Sequence, residues 1–220
     1  MSSAARVTPA YPAAPWSLCG DAIIATRTPR IAAVRELVPA HLALQAILPG
    51  RTLALLALVN YTAGSTLVYR ELIVVPAIVR AAGRIGAWIS HIYVDDVCSL
   101  AAGREIWGLP KQFASFDWRQ GESRVQVKSA QVEVDFRRAS NRSGVSVHLP
   151  LLAPAFGLDH TGMKWLLARG TGRIAKIPGR LSCRVTGVDM IDFDSCSSFF
   201  HVRRFALQFP APRITPPLTS

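Results

Sequence analysis

Apolar residues in this chain fall in short runs and strict alternations, and seldom in helical stripes. Val125 and Val127 alternate with polar neighbours, and so do Val132, Val134 and Phe136. A period of two predicts a hairpin with one buried face and one wet face. Val145, Val147 and Leu149 continue it, and Pro150 to Pro154 then breaks the pattern. Arg51 to Tyr61, Thr66 to Val79 and Gly86 to Val94 are rich in Val, Ile and Leu and bounded by Gly, Pro or Ser. They read as strands, joined by connections short enough to favour antiparallel pairing. Arg180 to Val188 and Ser198 to Leu207 give two late strands. Helices are few. One starts at Thr28-Pro29, places Ile31, Val34, Leu37 and Val38 on one face, and stops at Pro39. Another is capped by Asp95 or Asp96, runs through Ala102 and ends at Gly103. The expected fold class is α+β, mainly antiparallel β: a curved or closed, barrel-like sheet with a few outer helices.

At 220 residues the chain fits one domain with a single large core. Residues 1–15 read as a loose N-terminal arm, 16–209 as the domain and 210–220 as a C-terminal tail. The longest apolar run, Leu53 to Val59, is strand-sized, against the ~18 residues that a membrane span needs. The N-terminus shows no basic start followed by an apolar run, so no signal peptide is expected and the expected location is the cytoplasm. Cys19, Cys98, Cys183 and Cys196 form no CxxC pair, and the five histidines are dispersed. No metal site and no cofactor are therefore expected. The net charge of +11 invites a nucleic-acid partner. The basic residues, however, are spread along the chain and not interleaved with aromatics, so none is expected. A basic surface would also concentrate anionic small molecules.

Chemistry concentrates in Gly103-Arg104-Glu105-Ile106-Trp107-Gly108-Leu109-Pro110-Lys111-Gln112. Lysine is scarce in this chain: Lys111, Lys128, Lys164 and Lys176 against many arginines. Lys111 follows a proline that stiffens the backbone aiming it. Its apolar setting disfavours the charged form, and a neutral amine attacks ketones to give a Schiff base. The plain alternative is a surface lysine after a turn. Glu71 lies in Tyr69-Arg70-Glu71-Leu72, inside an apolar run, where a lone carboxylate needs a partner or a proton. It would either move protons for an amine or pair with Arg104 to anchor the sheet.

These residues resemble the acetoacetate decarboxylase family, in which a Gly-Arg-Glu run leads to Pro-Lys and an upstream Tyr-x-Glu supplies a carboxylate. The order Tyr11-Pro12 with Pro15, Val38-Pro39, Tyr69-x-Glu71 and Gly103 to Lys111 carries the likeness along most of the chain. The resemblance implies a barrel-like sheet with outer helices, Lys111 as Schiff-base nucleophile and Glu71 as its acid–base partner. It also implies a keto-acid substrate and a homo-oligomer. Trp107 becomes a pocket wall, Gln112 a candidate substrate contact, and Arg104 and Glu105 braces for the loop that carries Lys111. Three departures stand out. Gln112 replaces a second lysine, a second carboxylate falls near Leu56, and the family's N-terminal arginine falls near Gly20 or Asp21, which leaves Arg27 and Arg30 as candidates. The leading activity is decarboxylation of a short β-keto acid. The rivals are a Schiff-base aldolase, dehydratase or cyclase, and a non-catalytic binder of apolar small molecules. Lys111 and Glu71 are expected close together in an enclosed pocket, on strands that face each other.

Overall fold

A computed structural model describes residues 10–118, 124–140, 144–196 and 198–215. Strand dominates. The first half contains β1 (Trp16–Arg27), a single helical turn α1 (Ile31–Val34), β2 (Ala43–Leu44), β3 (Ala54–Tyr61), β4 (Arg70–Val75), β5 (Ala77–Ala81), β6 (Arg84–Trp88) and β7 (His91–Val94). Helix α2 (Val97–Trp107) leads to β8 (Lys111–Phe113) and β9 (Ser115–Asp117). The second half supplies β10 (Arg124–Lys128), β11 (Val132–Arg138), β12 (Val147–Asp159), β13 (Gly162–Ile177), β14 (Gly179–Val185), β15 (Ser198–Phe209) and β16 (Arg213–Thr215).

Two sheets form. The large one runs β2-β5-β6-β12-β13-β15-β1-β3-β4-β7-β8, with β16 added beside β13. The small one runs β14-β11-β10-β9 and contains the hairpin that the alternating valines announce. Most pairs are antiparallel, but β6 with β12 and β7 with β8 are parallel. The large sheet is therefore mixed. It is also not a closed barrel, which corrects the closed form of the expectation. β4 and β5 are separated by Pro76 alone, yet they lie in opposite arms of the strand order. Proline has no N–H to offer a ladder, so the chain leaves one arm there and enters the other. The arms curl towards each other, but no ladder among the described residues joins β2 to β8.

The large sheet is buried on both faces in its middle, which explains the unbroken apolar runs. Along β3, Leu56 and Leu58 face a core shared with Val127, Val134 and Phe136 of the small sheet. Ala57, Val59 and Tyr61 face the other way, into a second core with Trp16, Trp107 and Phe205. β4 divides likewise: Leu72 and Val74 join the first core, and Val75 joins the second. Helix α2 packs on the second face.

Several boundaries differ from the sequence reading. The first helix starts after Arg30, two residues late for a Thr28 cap. Helix α2 is capped by Asp96, which accepts from the Ser99 N–H, but it passes through Gly103 to Trp107. It ends on Gly108, whose φ of 64° is the left-handed C-cap position that favours glycine. Pro150 and Pro154 break nothing: β12 pairs with β13 across both. The two prolines share parity along a strand whose N-terminal part has no partner on its other side among the described residues, so neither ring interrupts a ladder. No helix among the described residues is long and apolar enough to cross a membrane.

Candidate active site

Two main-chain bonds, one bond from a side chain and a strand pairing aim Lys111. After the helix ends at Gly108, the Leu109 N–H returns to the Gly103 carbonyl at 2.9 Å. The Lys111 N–H bonds the Leu109 carbonyl at 2.8 Å, which tightens the turn around Pro110. Arg104 Nε donates to the Lys111 carbonyl at 2.7 Å. β8 then pairs with β7, placing Lys111 beside Ile92. On the opposite flank of β7, β4 places Glu71 beside Val94. Ile92 and Val94 are two residues apart and so share a face, which puts Lys111 and Glu71 on one side of one sheet. They flank a common strand and do not stand on facing strands.

Their charged groups meet. Lys111 Nζ lies 2.7 Å from Glu71 Oε1, and both residues are 3% exposed. Oε1 accepts no hydrogen bond beyond this ion pair among the described residues. Oε2 accepts from the Tyr61 hydroxyl at 3.0 Å. Nζ donates to Ser99 Oγ at 2.8 Å and lies 3.5 Å from the Tyr69 hydroxyl. It also stands 5.0 Å from the centre of the Tyr69 ring, within cation–π range. Tyr61, Tyr69 and Ser99 are all buried. Burial first, and then the Glu71 carboxylate, hold both phenols well above the usual tyrosine range. They therefore stay protonated, and Tyr61 remains a donor to Glu71.

The pair borders a small cavity of about 30 Å³ whose walls include Trp16, Leu18, Trp107, Leu109 and Leu166. That is room for a water or two, so a keto acid enters only as the apolar walls part. Trp107 stands edge-on to Trp16, with centroids 4.8 Å apart, and its indole N–H is fixed by the Pro210 carbonyl at 2.9 Å. Gly103 explains how the lysine reaches the carboxylate. A Cβ on Gly103 would fall 2.3 Å from Lys111 Cδ, so the side chain crosses the helix where the helix has no side chain.

A model of the acetoacetate decarboxylase family matches residues 3–206. The chain belongs to the acetoacetate decarboxylase family. Solved structures share its fold at low identity. The acetoacetate decarboxylase from Legionella pneumophila is 18% identical with a TM-score of 0.66, covering 100% of this chain and 94% of that one. An acetoacetate decarboxylase-like enzyme from Sphingomonas wittichii is 14% identical with a TM-score of 0.65, covering 90% of this chain and 91% of that one. The enduracididine biosynthesis enzyme MppR, complexed with pyruvate, is 17% identical with a TM-score of 0.60, covering 96% and 92%. No curated protein sequence matches the chain.

The sequence-selected residues distribute unevenly around this buried pair. Lys111, Glu71 and Trp107 come together. Gln112 follows Lys111 in β8, pairs with Tyr93 and so faces the opposite side of the sheet. Arg27 lies at the far end of β1 from Trp16 and donates to the Ser195 carbonyl at 2.8 Å. Leu56 faces the first core, away from Lys111. The Arg104–Glu105 step braces the site: Arg104 as above, and Glu105 by accepting from the Tyr11 hydroxyl. Glu71 takes Lys111, and not Arg104, as its partner. Ser99 and Tyr61 are the residues that sequence reasoning passed over. Tyr61 ends the β3 run on the same parity as Val59, and Ser99 sits three residues past the Asp96 cap. Neither carries a motif of its own.

Proposed function

We propose that the protein is a Schiff-base enzyme acting on a small keto acid, with Lys111 as nucleophile and Glu71 as its acid–base partner. The observation that carries this reading is the 2.7 Å Lys111–Glu71 pair sealed in apolar walls. A buried ion pair is a poor stability device, because desolvating two charges offsets most of their attraction. It is a good way to make a nucleophile. Moving one proton from Nζ to Oε1 turns the charged pair into a neutral amine and a neutral acid. The amine attacks the ketone, and after loss of water an iminium links Lys111 to the substrate. If the carbon next to the iminium carbon bears a carboxylate, the C–C bond to that carboxylate breaks and the electron pair flows into the iminium. The products are CO2 and an enamine, which Glu71 is placed to reprotonate once its carboxylate has taken up a proton from water.

Decarboxylation of a short β-keto acid is the leading reaction. The second reading is aldol or dehydration chemistry on another keto acid. It is favoured by Gln112, which stands where a second lysine would be and faces away, and by the absence of a second carboxylate on the Lys111 side of β3. MppR, which shares the fold, has been solved with the condensation product of pyruvate and imidazole 4-carboxaldehyde. Acetoacetate separates the readings. Release of CO2 by the wild type, lost in Lys111→Ala, supports the decarboxylase. Covalent capture of acetoacetate or pyruvate without CO2 release transfers the assignment to the second reading. Neither capture nor turnover leaves a binding role.

A further inference from the structure

We propose that Ser99 is a further catalytic residue, whose hydroxyl carries a proton from Lys111 Nζ to the substrate's carbonyl oxygen as the carbinolamine forms. This rests on Lys111 being a Schiff-base nucleophile. Helix α2 presents Ser99 Oγ 2.8 Å from Nζ, and the residue is fully buried. The two oxygens of Glu71 are otherwise engaged, Oε1 by Nζ and Oε2 by Tyr61. Tyr69 is farther, at 3.5 Å. Among the described residues, Ser99 is thus the hydroxyl closest to the reacting nitrogen and not committed to the carboxylate. A hydroxyl both accepts and donates, so it can take one proton and release another in the same step.

The protons balance. Glu71 first takes a proton from the ammonium of Lys111. The Nζ lone pair forms a bond to the carbonyl carbon, and the C=O π pair moves to oxygen. The adduct then has a positive nitrogen and a negative oxygen. Ser99 Oγ accepts a proton from the nitrogen and gives its own to that oxygen, and ends unchanged. The nitrogen lone pair expels the hydroxyl, which leaves as water with the proton from Glu71. The pair returns to an iminium and a carboxylate. In this scheme Glu71 supplies the proton for the leaving water and Ser99 the proton for the first addition, so neither group serves both oxygen steps.

The test follows the carbonyl oxygen. Acetoacetate and pyruvate labelled with oxygen-18 at the ketone are incubated with wild type, Ser99→Ala and Ser99→Cys, and label loss to water is timed by mass spectrometry. Trapping with cyanoborohydride runs in parallel, and melting temperatures report the fold. Ser99→Ala is expected to slow exchange roughly 100-fold while its trapping on Lys111 reaches the wild-type end point. Ser99→Cys, which keeps a weak donor and acceptor, should fall between. Exchange by Ser99→Ala at the wild-type rate overturns the role of Ser99 alone. A Ser99→Ala protein that melts normally but never traps substrate also overturns it, because Ser99 then only holds Lys111 in place. A wild type that neither exchanges nor traps overturns the Schiff-base reading, and this one with it.

Discussion

Glu71→Ala is expected to destabilise the protein by about 3–5 kcal/mol and to abolish covalent chemistry at Lys111. Lys111 is 3% exposed, and the carboxylate is its one counter-charge within ion-pair distance among the described residues. Removing one member of a buried pair leaves the other desolvated and uncompensated, which is far worse than removing both. For a chain of this size the loss corresponds to a fall in melting temperature of roughly 10 °C. The double variant Glu71→Leu with Lys111→Met should recover most of that loss while remaining inert. Calorimetry of the wild type, the two single variants and the double variant checks this. A Glu71→Ala protein as stable as wild type would mean that the pair is not buried as described.

Gly103→Ala should separate activity from helix stability. Alanine is the better helix former by about 1 kcal/mol, so helix α2 itself should gain. The new Cβ, however, would lie 2.3 Å from Lys111 Cδ and 2.5 Å from Cε. The lysine must swing aside, and Nζ leaves Glu71 and Ser99. A misplacement of about 1 Å at a reacting atom costs on the order of 100-fold in rate. The expected result is an intact circular dichroism spectrum with trapping at Lys111 slowed by about that factor. Unchanged trapping would show that the lysine has another route past the helix.

The core of the site was legible because its residues contradict their surroundings. A carboxylate in an apolar strand and a scarce lysine after a proline both demand an explanation, and each explains the other. Tyr61 and Ser99 were not legible, because a tyrosine closing an apolar strand and a serine in a first helical turn both satisfy local rules. Gly103 was misread for a physical reason. Glycine in a helical pattern suggests a C-cap, but here it makes room for a side chain that arrives from eight residues downstream. The hairpin of β10 and β11 was plain because one of its faces is wet. β12 was hidden by its prolines, which an unpartnered strand edge tolerates. The open path of the large sheet depends on which strands pair across the curl at Pro76, and periodicity says nothing about that.

The central claim is that Lys111 forms an imine, and borohydride reduction in the presence of acetoacetate or pyruvate tests it most directly. The chain carries four lysines. Lys128 and Lys176 are exposed, and Lys164 is buried with its ammonium held by Asp159 and the Glu105 carbonyl. Peptide mapping by mass spectrometry is predicted to find one reduced adduct, on Lys111, that disappears in Lys111→Ala and in Glu71→Ala. No adduct on Lys111, or adducts spread over the exposed lysines at the same rate, would contradict the account.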